Sequence, residues 1–205
     1  NQAHTESDSQ PSRSLKVTDT LKLPGAKAVL LSFFCYCALE ATTGLWASSY
    51  LVLHRGLSAT VAAKWASLFY LGITAGRFLC GFITEKLGDR NMVRLGQGIA
   101  LLGALLLLTP LGNVSALAGL IMIGLGCAPV YPCLLHETPD NFGAERSQSI
   151  MGMQMACAYV GTTLMPPAFG LIAEHIHVGL YPVFLMIFVV IMFFMTEKVN
   201  RTTGK

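Results

Sequence analysis

Gly81-Phe82-Ile83-Thr84-Glu85-Lys86-Leu87-Gly88-Asp89-Arg90 joins two apolar runs too long and too unbroken to belong to a water-soluble core. The pattern is a glycine, three residues, an acid, a base, one residue, a second glycine, and then a base after Asp89. Gly81 and Gly88 are the residue type that lets backbone turn sharply or approach closely. The charges of Glu85, Lys86, Asp89 and Arg90 hold such a turn in water at the face of a membrane.

Outward from this turn, the whole chain repeats the pattern. It has 205 residues, 53% of them hydrophobic and only 12% charged, with a mean hydropathy of +0.57. A soluble domain carries about 25% charged residues, so this chain lacks the charge to cover a soluble surface. Apolar segments fall at about 28–53, 61–84, 93–110, 115–136, 148–172 and 179–196. A hydrocarbon core about 30 Å thick needs about 20 helical residues, and each segment is near that length. The expectation is an all-α integral membrane bundle of six transmembrane helices spanning 28–196. Residues 1–27, polar and without periodicity, read as a flexible linker, and 197–205 as a tail. The chain opens on Asn1 with no signal peptide before the first run, which reads as a fragment or processed piece.

Six spans put both ends and the loops near 85–92 and 137–147 on one side. That side holds Arg13, Lys16, Lys22, Lys27, Lys86, Arg90, Arg94, Arg146, Lys198, Arg201 and Lys205; the other holds Arg55 and Lys64. The positive-inside rule then places both ends in the cytoplasm. The net charge of +3 is therefore membrane-flanking, and no nucleic-acid motif accompanies it. The cysteines Cys35, Cys37, Cys80, Cys127, Cys133 and Cys157 all lie in apolar runs without metal-ligand spacing. Glu174, His175 and His177 lack a further ligand in the sequence. No nucleophile–base pattern points to catalysis, so neither enzyme chemistry, metal nor cofactor is expected.

Charge inside a span costs about 2.5–3.5 kcal/mol on insertion scales and marks a cavity or a partner. Glu40 lies near the middle of the first span, with Tyr36, Thr43, Ala47 and Tyr50 close to its stripe at 100° per residue. A carboxylate among hydroxyls suits a wet solute cavity; a protonated carboxyl pinned between helices is the other reading. Arg77 shares a face of the second span with Tyr70, Thr74 and Gly81, about 12 Å from Glu85. It either serves a cavity or snorkels towards the cytoplasm. Gln154, with Ala158, Gly161 and Met165, is either a third polar site residue or a packing amide. Gly124-Leu125-Gly126-Cys127-Ala128-Pro129-Val130-Tyr131-Pro132 and Pro166-Pro167 with Gly170 read as interruptions of the fourth and fifth spans.

The charged turn, the run from Gly124 through His136-Glu137-Thr138-Pro139 to Gly143, and the run from Ile150 through Gln154 to Gly170 occur in order. Together they resemble the carboxy-terminal half of a major facilitator superfamily transporter, in the manner of the fucose permease-like sugar porters. Glu85 stands where that turn more often has aspartate, and Asp89 is an added acid. The resemblance implies helices seven to twelve of a secondary transporter in the cell membrane, moving a small polar solute, expected to be a sugar, with proton coupling. It implies an amino-terminal half as partner besides the lipid bilayer. Solute-binding residues would be Tyr36, Glu40, Thr43, Tyr50, Tyr70, Arg77 and Gln154; Gly81, Glu85, Lys86, Gly88, Asp89 and Arg90 would form a gating loop. A drug–proton antiporter half and a non-transporting six-span scaffold or accessory subunit are the alternatives.

Overall fold

The computed structural model describes residues 17–203, and among them every regular element is helical. A single turn, α1 (Val17–Thr20), precedes α2 (Ala26–Leu53), α3 (Ala59–Leu87), α4 (Asp89–Leu108) and α5 (Asn113–His136). The short α6 (Thr138–Phe142) leads into α7 (Ala144–Ile172) and α8 (Tyr181–Thr202). Between α7 and α8 the helix loosens to a π turn at Ala173–His177 and tightens to a 3-10 turn at Val178–Leu180.

Residues 144–202 are thus nearly continuous helix, 59 residues long, yet they make two spans. The rings of Phe169 and Phe184 are 5.2 Å apart, whereas a straight helix would separate them by about 22 Å. The turn at 173–180 therefore folds α8 back along α7, and both pack on α2. With α2, α3, α4 and α5 this makes six membrane-length helices.

Burial explains which helices lack a polar face. α2 and α5 sit inside the bundle, α2 against α3, α7 and α8, and α5 against α3 and α4. Phe33, Tyr36, Leu39, Tyr50 and Leu51 of α2, with Leu120 and Ile123 of α5, are fully buried. The outer surface is apolar too: Leu45, Phe78, Phe82, Leu102, Leu164 and Phe194 are exposed, as lipid solvent permits.

The structure corrects the sequence expectations at three places. The charged stretch is no loop: α3 runs through Glu85 and Lys86 to Leu87, and α4 begins at Asp89. Gly88 alone turns the chain, with φ 77° and ψ 154°, a region only glycine enters without strain. Secondly, neither proline pair interrupts its span, since α5 runs unbroken through Pro129 and Pro132 and α7 through Pro166 and Pro167. Each proline deletes one donor, but the flanks of α5 are clamped. A Cβ at Gly124 would collide with the Phe69 carbonyl of α3, and one at Gly126 with the Gly96 carbonyl of α4. Backbones this close hold a helix straight through a missing bond. Thirdly, the linker expected over 1–27 is folded from residue 17 onward: Leu21 and Leu23 pack against Ala26, Val29, Phe142, Ile150 and Val199. Its residues 1–16 lie outside the described residues, as do Gly204 and Lys205 of the expected tail, while Glu197–Thr202 continue α8.

Candidate functional site

Two helices build one wall each. Arg77, Cys80, Gly81 and Thr84 follow one another on α3 at helical spacing, and Tyr131, Cys133 and His136 face them from α5. Between them lies an open cavity of about 610 Å³, within the ~300–1,000 Å³ typical of small-molecule sites. Arg77 is exposed into this space, ten residues or about 15 Å from the end of α3. Among the described residues no carboxylate forms an ion pair with it. Gly81 does not pack closely, contrary to the sequence expectation: a Cβ there would meet nothing within 4 Å. Its missing side chain instead leaves room beside Arg77.

Tyr131 connects this cavity to α2. Its ring lies 5.1 Å from Phe33 and 5.9 Å from Tyr36, and its hydroxyl donates to the Met155 sulfur at 3.3 Å. The Tyr36 hydroxyl is buried without a hydrogen-bond partner among the described residues, and the half-buried Glu40 approaches it from one turn along α2. Glu40 and Arg77 both lie within electrostatic reach of Tyr36 and Cys127. Tyr70, half exposed on α3, sets its hydroxyl over Gly44 of α2, where a Cβ would collide with it. Gly44 lies one further turn along the Tyr36–Glu40 face. Tyr36, Glu40 and Tyr70 thus lie where α2 meets its neighbours, whereas of the four only Arg77 lines the cavity itself.

Thr43, Tyr50 and Gln154 are placed elsewhere. The Thr43 hydroxyl donates to the Leu39 carbonyl at 2.7 Å, and its own carbonyl accepts from Tyr181 of α8 at 3.2 Å. Tyr50 donates to the Leu107 carbonyl at 2.8 Å. Arg55 joins it there, donating to the Leu107 and Thr109 carbonyls at 2.5 and 3.0 Å and so closing the open end of α4. At 100° per residue, the ten residues between them put Tyr50 about 80° around α2 from Glu40, against the end of α4. Gln154 is fully buried and exchanges hydrogen bonds with Thr138 at 3.2–3.3 Å, a packing amide between α7 and the start of α6.

The charged stretch is bound into the end of the bundle. Asp89 meets His136 Nδ1 at 2.6 Å, Arg90 pairs with Glu137 at 3.4 Å and reaches Asn141 at 3.4 Å, and Thr203 donates to Asn141 at 3.0 Å. Farther along α4, Arg94 grips both oxygens of Glu197 at 2.5 and 2.9 Å. Burial pushes the Glu137 carboxyl above the usual glutamate range, and the Arg90 guanidinium opposes that shift. Glu85 and Lys86 remain exposed. At the opposite end the His54 and His177 rings meet edge-on at 5.5 Å, and His177 Nδ1 accepts from the Gly179 amide.

The sequence pattern of the Major Facilitator Superfamily matches residues 29–202, nearly the whole described bundle. The chain belongs to the Major Facilitator Superfamily. It is a multi-span membrane protein with that superfamily's transporter fold. Bypass of stop codon protein 6 of Saccharomyces cerevisiae is 25% identical over 182 residues, 83% of this chain and 36% of that protein. Membrane protein MosC of Rhizobium meliloti is 25% identical over 134 residues, 65% of this chain and 33% of that protein. The chain thus spans about a third of the length of these curated relatives. Among solved structures, the transporter FucP in the outward conformation superposes with a TM-score of 0.77 at 15% identity, covering 94% of this chain and 47% of that one. The peptide transporter POT superposes with a TM-score of 0.73 at 16% identity, over 88% and 40%. Identities this low speak for the fold alone.

Tyr131, Cys80, Thr84 and His136 were not read from the sequence as site residues. Cys80 and Thr84 were legible, three and seven residues after Arg77 on one face. Tyr131 had been read only as part of a helix breaker. Nothing local joins His136 to Asp89, 47 positions away.

Proposed function

We propose that this chain is a six-helix half of a secondary transporter that moves a small polar solute by alternating access, with a sugar as solute class and protons as coupling ion. The observation that carries this reading is the cavity between α3 and α5, lined by Tyr131 and by an Arg77 without an ion pair among the described residues. A second six-helix unit seated over that cavity would close it, in keeping with the chain's span of 47% of FucP. The fold likeness to the E. coli fucose:proton symporter, TM-score 0.75, supports sugar and proton as first choices.

Tyr36, Glu40, Tyr70 and Arg77 serve as solute contacts in this scheme, with Tyr131 added. Glu40, half buried and without a cationic partner among the described residues, is the group suited to carry the proton. Thr43, Tyr50 and Gln154 support the helices behind it. The stretch Glu85, Lys86, Gly88, Asp89 and Arg90 acts at the cytoplasmic gate, and both chain ends lie on that side of the plasma membrane.

Uptake of a labelled sugar panel by the full-length protein in proteoliposomes tests the function. Accumulation above equilibrium should require an inward proton gradient and vanish with a protonophore. Leak-level uptake of every sugar, with or without the gradient, would remove the reading.

A further inference from the structure

Arg77 narrows the chemistry of the solute. Resting on the transport reading above, we propose that the cavity takes an acidic sugar, a hexuronate-type monoanion, with its carboxylate on the Arg77 guanidinium and its ring against Tyr131.

The charges at the cavity wall divide unequally. At the rim, Asp89 is occupied by His136 at 2.6 Å. Deeper in, Arg77 carries a full positive charge with no carboxylate ion-paired to it among the described residues. A guanidinium inside a membrane bundle is expensive without an anion, and its planar fork matches a carboxylate with two parallel hydrogen bonds. Glu40 comes near Tyr36 and Cys127 from the α2 side but forms no ion pair with Arg77, so no carboxylate among the described residues takes the position for an anion.

The remaining wall argues against a neutral sugar. Such a solute needs donors and acceptors for each buried hydroxyl. The Thr84 hydroxyl donates to the Cys80 carbonyl at 2.7 Å, and the Tyr131 hydroxyl to Met155 at 3.3 Å, which leaves each only its acceptor capacity. Cys80, Cys133 and Pro132 add little polarity. Besides the Asp89–His136 pair at the rim, the wall offers one fixed cation, open space over Gly81 beside it, and an aromatic face held by Phe33 and Tyr36. A sugar ring stacks on such a face through its C–H surface while the carboxylate is anchored. A cavity of about 610 Å³ holds a molecule of that size.

The test is equilibrium binding to the detergent-solubilised full-length protein, followed by counterflow in proteoliposomes. The probes are D-glucuronate and D-galacturonate, their parent sugars, and D-glucuronamide as a neutral isostere. The uronates should bind at least about tenfold tighter than the amide, the scale of a charge-assisted hydrogen bond. Arg77→Gln should abolish the preference for glucuronate over the amide, whatever it does to the amide's own affinity, and Arg77→Lys should keep part of the preference. Should the Gln variant lose its melting transition, the Lys variant and the isostere comparison decide alone. Equal binding of acid and amide, or a preference untouched by either Arg77 variant, overturns the assignment. Transport of a neutral sugar with no preference for acids overturns it and leaves the transport reading standing; binding and movement of none of these compounds removes both.

Discussion

At the scale of single residues, ionisable groups divide by whether the bundle supplies a partner. Arg55, Arg90 and Arg94 all find carbonyls or carboxylates; among the described residues Glu40 and Arg77 form no ion pair, and Arg77 lines the cavity. If Glu40 carries the proton, Glu40→Gln keeps the shape but cannot release one. Proton-driven accumulation should fall to the equilibrium level while downhill exchange of solute continues. Accumulation at the wild-type level would make Glu40 a packing carboxyl. Glu137 gives a separate prediction through pH. Its folded pKa lies above the ordinary value because of burial, so the folded state holds more protons than the unfolded one between those two values. Stability is therefore greatest below the ordinary glutamate pKa and is lost as pH rises through the folded pKa. Thermal unfolding in detergent across that window should show this downward slope, and Glu137→Gln should flatten it. A slope of the opposite sign would mean that Arg90 outweighs burial.

At the scale of elements, the glycine seams of α5 decide how helices meet. Gly124 and Gly126 face opposite neighbours, and each lies against a carbonyl oxygen with no room for a methyl group. Gly124→Val should destabilise by at least about 3 kcal/mol, the upper end for overpacking. Gly152→Val, where an added Cβ meets nothing within 4 Å, should stay within about 1 kcal/mol; equal losses in melting temperature for the two would refute the seam. The α3–α4 turn makes a different prediction. A leucine at Gly88 is forced into a glycine-only conformation at about 1–3 kcal/mol, and Glu85→Ala removes an exposed charge without strain. Both should slow transport severalfold while leaving solute affinity nearly unchanged, because the turn lies far from Arg77 along α3. An affinity loss in Glu85→Ala with normal turnover would place the turn in the binding site.

At the scale of the whole molecule, six antiparallel helices gather the starts of α2 and α4 with the ends of α5 and α8. The contacts of Arg90, Asn141, Thr203 and Gly25 tie those ends together. Lys22, Lys86, Arg90, Arg94 and Arg201 share this end, and Arg55 and Lys64 lie at the other. The first end should therefore be cytoplasmic. Single cysteines at Lys22, Asn113 and Thr203 in a cysteine-less background should react with an impermeant thiol reagent from outside only at Asn113. Outside labelling at Lys22 or Thr203 would invert the topology.

Six spans, their order and the charge asymmetry follow from local hydropathy and helix length, which is why the sequence by itself determined the membrane class, the fold and the turn at Gly88. Arg77 and Glu40 were equally visible, since charge in an apolar run stands out without any partner. What only the tertiary structure decided is which of their neighbours share the site. Tyr36, Thr43 and Tyr50 look alike on a helical wheel, but Tyr36 meets Tyr131 of α5, whereas Thr43 bonds to α8 and Tyr50 to the end of α4, so Thr43 and Tyr50 became scaffold. Tyr131 and the Asp89–His136 pair joined through contacts between helices far apart in the chain. The prolines of α5 kept their helix intact because neighbouring backbones, not local propensity, set the path. Periodicity is a property of one helix, whereas a site belongs to several, and only their packing angles and close approaches assign each side chain to a cavity or to a seam.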